Sequence, residues 1–391
     1  VIYLDNNATT RPTDAVAQAV HVATTTLWAN PSSVHRAGQE VRHALELARK
    51  ELAALIGVPA KELILTGSGT ESINLAVRGV LESRIHKAGG HSGPPLPNII
   101  TTRLEHTAVR DLVQHLERQG RAEARWLPLD SRGMADPGAL GTLIDSRTAL
   151  VSVQWANNET GAIQPIERLA EVCRERGVPF HCDGTQWVGK MPMPEALPCD
   201  LLTFSAHKFH GPKGVGALWV RRGVGLVPQT IGTQEMDRRG GTESVAAIVG
   251  AGVAAREAAA WLTDPAARAK VAALRDRFEN AIVERVPGAT INCHTCPRLW
   301  NTSNIAFPTL EAEALLMLLS ERGVAASAGA ACSSGSLDPS PVLLAMGIPE
   351  PLAHGSVRFS LSRETGGSEI NDAIETVVAC ATQLARSSGS M

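Results

Sequence analysis

The chain has 391 residues, 44% of them hydrophobic and 19% charged, with a formal net charge of −2; it is long enough to bury a large core and to form two domains. Charges of the two signs are interspersed, which excludes a nucleic-acid-binding face or a membrane-surface patch as an organising feature and leaves a small molecule as the expected ligand. No segment reaches the about 18 consecutive apolar residues of a membrane span, and the start, Val1-Ile2-Tyr3-Leu4-Asp5, lacks the charged-then-apolar layout of a signal peptide, so a cytoplasmic location is expected.

In chain order, Val41, Ala44, Leu45, Ala48, Leu52, Leu55 and Ile56 share one face of a helix predicted over 39–56 and stopped by Gly57. Leu63-Ile64-Leu65 predicts a strand, and Thr66 to Ser72 a small-residue turn opening a further helix. The cycle repeats with a strand over 98–102, Glu105-His106, and a helix over 108–118. A third cycle has a strand over 149–153, the polar cluster Asn157 to Gly161, and a helix over 166–176. Strands over 179–182 and 201–205 follow. Strands alternating with helices predict a mostly parallel sheet covered on both faces, with ligands at the strands' carboxyl ends. Beyond Ser244 the pattern changes to Ala-rich helix, a helix over 264–286, a strand near 304–307, a helix over 310–322, a last strand over 357–361 and a helix over 369–384. The expected division is a large domain over 15–260 and a smaller α+β domain from 1–14 with 261–391. Residues 87–97 and 329–341 read as loops, and the tail 387–391 as flexible.

Seven cysteines, an odd number scattered along the chain, predict reduced thiols that mostly fill the core. Cys293-His294-Thr295-Cys296 has spacing for a metal or redox pair but no second pair beside it. Cys332 stands in the small, polar run Ala330 to Gly335, where a thiol is open to act as a nucleophile rather than as filler.

Lys208 demands the most explanation, because it ends the apolar run Leu201 to Ser205 and is stopped by Gly211-Pro212. An amine at the mouth of a buried strand is costly to desolvate, and such partial burial tunes a lysine for a Schiff base to pyridoxal phosphate. That cofactor also needs a carboxylate on its ring nitrogen, a phosphate cradle and a flat group against the ring. Asp183, closing the preceding strand, is the carboxylate candidate, or else a turn aspartate in Asp-Gly. Thr66 to Ser72, with Gly69 and Thr70, offers free N–H groups at a helix start, or else only a cap; it lacks the Gly-Lys-Ser/Thr ending of a nucleotide loop. His106 at the sheet edge is a ring-stacking candidate or a structural hydrogen-bonder. Arg358 is a carboxylate clamp or the partner of a surface acid.

Taken together these residues resemble the cysteine desulfurases of the NifS/IscS type, within the aminotransferase class V group. The resemblance rests on Tyr3 to Thr10, Asn30 to His35, Thr66 to Asn74, Glu105-His106, Asn157 to Gly161, Asp183 to Gln186, Ser205 to Gly216, Gly241 to Glu243 and Ser327 to Pro339 in one order. It implies a fold-type I pyridoxal-phosphate enzyme in which Lys208 holds the cofactor and later acts as base, and Asp183 pairs with the ring nitrogen. Gln186 contacts the ring oxygen and His106 stacks. Thr70, Ser205 and His207 bind phosphate, with Thr242 reaching over from a second subunit. Asn158 and Arg358 orient the substrate carboxylate, and Cys332 takes the sulfur of L-cysteine as a persulfide, releasing L-alanine. A homodimer and a sulfur acceptor such as an iron–sulfur scaffold are implied; nucleic acid, membrane and metal are not. Selenocysteine lyase is the nearest alternative, and a non-catalytic scaffold or sulfur-relay partner is the alternative of another class. Trp187, Phe209-His210 and Gly232 to Glu235 depart from the family pattern and are expected to alter packing or a dimer contact. The 87–97 excursion resembles selenocysteine lyase, and no evident scaffold-docking tail ends the chain.

Overall fold

The computed structural model describes residues 1–87, 89, 95–130, 132–328 and 338–388. The Cys332 segment, most of the 87–97 excursion and the last three residues lie outside them.

A seven-stranded sheet organises the molecule, in the spatial order Leu63–Thr66, Gly216–Val220, Leu201–Ser205, Phe180–Asp183, Thr148–Gln154, Asn98–Thr101, Glu123–Trp126. Only Gly216–Val220 runs antiparallel to its neighbours. Apart from the edge strand Glu123–Trp126, every strand is buried at each residue, as both-face coverage requires. The fold-class expectation holds.

The amphipathic helix Arg36–Leu55 buries Val41, Leu45, Ala48 and Leu52 and ends before Gly57, whose φ of +71° only glycine adopts freely. The helix Val245–Leu262 is long and apolar enough to cross a membrane, yet it contains Arg256 and Glu257. Its buried face is built of small residues and lies directly on the first helix: a Cβ at Gly252 would come within 2.8 Å of Ala48 Cα.

A second hydrophobic core forms around the antiparallel strands Ser356–Ser360, Thr302–Ala306 and Thr290–Ile291, covered by the helices Pro265–Arg285, Ala312–Glu321 and Gly367–Ser388. Leu4 belongs to this core, and Ile2–Tyr3 pairs in parallel with Val324–Ala325. The N-terminus therefore crosses from the second core to the large sheet.

The expectation of free thiols holds for Cys173, Cys182, Cys199 and Cys380, all buried, and fails for Cys293 and Cys296, which form a disulfide. A tight turn with Cys293 at φ +60° brings their Cα atoms to 5.3 Å. The departures from the family pattern have structural counterparts. Trp187 stacks on buried Trp155 with ring centroids 4.7 Å apart. Glu235, in a left-handed turn with Met236 and Asp237, reaches under the sheet's edge strand. It accepts from Leu65 N at 2.8 Å and pairs with both terminal nitrogens of Arg49, which also donates to Leu63 O at 3.0 Å. The pair caps the open edge that Leu63–Thr66 would otherwise present.

Glu235→Ala leaves a guanidinium buried without its anion and an edge N–H unpaired, so we expect urea unfolding to show a loss of about 3–5 kcal/mol. A loss below about 1 kcal/mol would show that water replaces the carboxylate there.

Candidate active site

A cavity of about 360 Å³ opens at the carboxyl ends of the large sheet's strands. Each parallel strand delivers its polar residues just past its last hydrogen-bonded position. Thr66 leads to Ser68, Gly69 and Thr70; Thr101 leads to His106; Gln154 leads to Ala156 and Asn158. Asp183 leads to Thr185 and Gln186, and Ser205 leads to His207 and Lys208. Arg358 enters from the second core's sheet. The structure thus brings together Gly69, Thr70, His106, Asn158, Asp183, Gln186, Ser205, His207, Lys208 and Arg358. Thr242 is exposed and does not line the cavity, and Cys332 lies outside the described residues.

The lysine nitrogen is held by backbone carbonyls, donating at 2.7 Å to Asn7 O and at 2.7 Å to Ala8 O. Asp183, 5% exposed, accepts from Thr185 N at 3.0 Å and from Thr203 Oγ1 at 3.5 Å. Behind it His181 sits between Thr203 Oγ1 at 3.0 Å and Ser152 Oγ at 2.8 Å, and complete burial lowers its pKa to about 4. Because Thr203 gives its proton to Asp183, it accepts from His181 Nε2–H, and Nδ1 accepts from Ser152. A neutral imidazole therefore supports the carboxylate from below.

His106 caps the helix Thr107–Arg118 by accepting from Ala108 N at 3.1 Å, which fixes its ring at the cavity wall. Burial lowers its pKa, against the pull of Asp183. Its neighbour Glu105 is fully buried and accepts from Gln154 N at 2.9 Å and from Thr102 Oγ1 at 2.7 Å, with burial raising its pKa to about 8. His207 shares a hydrogen bond of 3.1 Å with Thr9 Oγ1, and its pKa falls to about 4 through burial and then Lys208.

The first N–H groups of the helix Gly69–Lys87 have no acceptor of the usual intrahelical kind, that of Glu71 going to Ser68 Oγ at 3.1 Å, and Gly216 packs tightly against the turn before it. A Cβ on Gly216 would overlap the Ser68 carbonyl and lie 2.7 Å from Gly69 N. Arg358, 2% exposed, pairs with Asp5 at 2.7 Å and donates to Asn158 O at 3.1 Å, while its buried Nε has no partner among the described residues. A lysine, an anion-accepting helix start, a buried carboxylate and an unspent guanidinium donor fit pyridoxal phosphate carrying an amino acid.

Residues 2–372 match the model of the family described as aminotransferase class-V. The chain belongs to the aminotransferase class-V family. It is a pyridoxal-phosphate family. Within it, the chain is 44% identical to a cysteine desulfurase of Gluconacetobacter diazotrophicus, over 96% of this chain and 92% of that one. It is 42% identical to the cysteine desulfurase NifS of Azotobacter vinelandii, over 98% and 93%. A solved NifS-like protein superposes with a TM-score of 0.87 at 34% identity, covering 98% of this chain and 99% of its own.

Several residues that hold the cavity's side chains escaped the reading of motifs. Asn7 and Ala8 hold Lys208 through backbone carbonyls, which no side-chain pattern reveals. His181 could have been found, since Phe180-His181-Cys182-Asp183 is a strand and period two places His181 and Asp183 on one face. The ends of the Cys332 segment are both tied to the site. Ser327 exchanges backbone hydrogen bonds with Arg358, N to O at 3.2 Å and the reverse at 2.7 Å, and Ser340 Oγ donates to Glu159 beside Asn158.

Glu105 binds a proton in the folded state that the unfolded chain releases above about pH 4.5, so its contribution is complete below that pH and is lost as pH rises through about 8. Relative to the parent protein, Glu105→Gln should show a flatter decline of Tm between those limits; parallel profiles would place the titration elsewhere. Gly216→Ala should displace the Ser68–Gly69 turn and weaken binding of pyridoxal phosphate by about tenfold or more, measured by fluorescence quenching on the apo-protein.

Proposed function

We propose that the chain is a cysteine desulfurase that moves sulfur from L-cysteine to Cys332 and leaves L-alanine. The observation that carries this reading is one cavity holding Lys208, Asp183, His106, the Gly69–Thr70 helix start and Arg358 with its Nε unpartnered among the described residues, in a chain so similar to proteins of that activity.

Bound at Lys208, pyridoxal phosphate supplies the electron sink that lets a proton leave Cα of an amino acid. Asp183, backed by Thr203 and His181, keeps a proton on the ring nitrogen. Gln186 faces the ring oxygen and His106 covers the ring. The Gly69 and Thr70 N–H groups, Ser205 and His207 hold the phosphate, His207 as a neutral donor or acceptor because burial and Lys208 keep it unprotonated. Arg358 grips the substrate carboxylate with Asn158 beside it. Lys208 would take the Cα proton as base, with the carbonyls of Asn7 and Ala8 holding its amine in place. The Cys332 thiolate attacks the substrate sulfur; an S–S bond forms, the Cβ–S bond breaks with its electron pair going to carbon, and two protonations give alanine. The tethering of Ser327 to Arg358 and of Ser340 to Glu159 supports delivery of this thiol to the cavity.

The chain acts as a homodimer of two-domain subunits, 15–260 against 1–14 with 261–391, in which Thr242 of one subunit completes the other's phosphate site. Exposure of Thr242 and of Ile231, at 84%, supports this arrangement. The persulfide is passed to an acceptor such as an iron–sulfur scaffold.

Alanine release from L-cysteine is the direct test. Lys208→Ala should be colourless, and Cys332→Ser should keep the cofactor's visible band while losing persulfide formation about 10³-fold or more. Retained turnover in Cys332→Ser would indicate an aminotransferase-like reaction, and turnover of selenocysteine alone would indicate a selenocysteine lyase.

A further inference from the structure

Lys190 is the one lysine whose burial the proposed chemistry does not use. It is 4% exposed, and among the described residues it takes part in no ion pair. Its amine donates to two neutral oxygens, Asn7 Oδ1 at 2.9 Å and Gln186 Oε1 at 2.5 Å. Burial lowers its pKa well below the usual lysine range, and Lys208 and Arg358 act in the same direction. Such an amine is expensive to bury, whether as a cation or by giving up its proton, and a shorter neutral donor would satisfy the same oxygens at lower cost to folding. Its place here points to something a long side chain with several N–H donors does.

A side-chain amide can sit in either of two orientations, and its neighbours decide which. Lys190 Nζ spends its N–H groups on Asn7 Oδ1 and Gln186 Oε1, so the carbonyl oxygen of Gln186 faces it. The amide nitrogen is thereby turned to the opposite side, where it donates to Asn7 O at 3.0 Å, the same carbonyl that accepts from Lys208 Nζ at 2.7 Å. One N–H of that amide engages Asn7, and the other is left for an acceptor on the ring bound at Lys208. Gln186 lines the cavity, whereas Lys190 lies behind it. The spacing of four residues between Gln186 and Lys190, across a turn in which Lys190 N donates to Trp187 O at 3.0 Å, makes the reach possible.

We propose that Lys190 is a positioning residue for the cofactor: from behind the cavity it locks the Gln186 amide with its nitrogen toward Lys208, so that the cofactor's ring oxygen meets an N–H donor and never the amide oxygen. Through Asn7 Oδ1 the same amine holds the loop that carries the two carbonyl partners of Lys208. The inference rests on Lys208 and Gln186 flanking the cofactor, which colour in the parent protein and its loss in Lys208→Ala test independently.

The experiment is a double-mutant cycle on cofactor binding, with Lys190→Met, Gln186→Ala and the double variant. Purified apo-proteins are checked for native far-UV circular dichroism and titrated with pyridoxal 5′-phosphate, and the visible band maximum is recorded. Lys190→Met, which keeps the length and apolar stem, should weaken binding by about tenfold and shift the band, the loss of a buried hydrogen bond. In the Gln186→Ala background it should cost less than about twofold, because its effect runs through the amide. Equal losses in both backgrounds, or unchanged affinity and band in Lys190→Met, would overturn the proposal. If Lys190→Met does not fold, Gln186→Glu decides. That variant keeps an oxygen for Lys190 but has no N–H donor, so it should bind the cofactor at least about tenfold more weakly, and parent-like affinity would overturn the proposal.

Discussion

The site depends on one residue being satisfied from both halves of the molecule. Every polar atom of Asn7 is engaged. Its N–H donates to Ser360 Oγ at 2.9 Å, and its side-chain nitrogen donates to Thr302 Oγ1 at 2.9 Å and Asn158 O at 3.1 Å. Its side-chain oxygen accepts from Lys190 and, at 3.0 Å, from Asn301. Its carbonyl accepts from Lys208 and Gln186. Ser360, Thr302 and Asn301 belong to the second core's sheet or its edge, whereas Lys208, Gln186 and Lys190 belong to the loops above the large sheet. A buried asparagine so fully used has no alternative arrangement of comparable energy, since any shift strands a donor or acceptor away from water. The registration of the two cores and the position of Lys208 are therefore one constraint.

That constraint explains the charge distribution around the cavity. Lys208, Lys190 and Arg358 are brought close together, with Asp5 on Arg358 and Asp183 across the cavity as the anions. Glu105 is held largely protonated at neutral pH by its burial, and burial also raises the pKa of Glu159. The lining itself sets Lys208 and Arg358 against Asp183, an excess of positive charge suited to a ligand with a phosphate and a carboxylate. The neutral states of His181 and His207 follow from the same burial, so their roles are hydrogen-bonding ones.

The sequence shows some of this plainly and conceals the rest for physical reasons. Strands such as Leu201–Ser205 and helices such as Arg36–Leu55 are legible because apolar periodicity is local, and observed limits fall within a few residues of those expected. Lys208, Asp183 and His106 are legible because each ends or closely follows a strand in an α/β pattern, where ligand chemistry collects. Lys190 and Asn7 are not, because their meaning lies in pairings 183 and 201 residues apart along the chain, Asn7 with Lys190 and with Lys208. Glu235 is another such case, an acid in a loop that proves to cap a sheet edge 170 residues away. The Cys293–Cys296 disulfide was hidden by the opposite effect: composition over the whole chain argues for thiols, and a local turn decides otherwise.

The described part of the site also separates two kinds of specificity. Its lining contains no cysteine, so on the proposed reading the groups fixed in place there would serve the cofactor or an amino acid's carboxylate. On that reading choice of reaction would come from the segment carrying Cys332, whose described flanking residues Ser327 and Ser340 are attached to Arg358 and to Glu159 beside Asn158. Attachment at those points makes the segment's stems sensitive to how Arg358 and the Asn157–Gly161 turn are held, because a hydrogen-bonded neighbour cannot move without its partner. A substrate carboxylate that draws Arg358 Nη1 from Asn158 O would therefore act on the Asn157–Gly161 turn, whose Glu159 accepts from Ser340, and so couple occupancy of the cavity to the described flank of that segment.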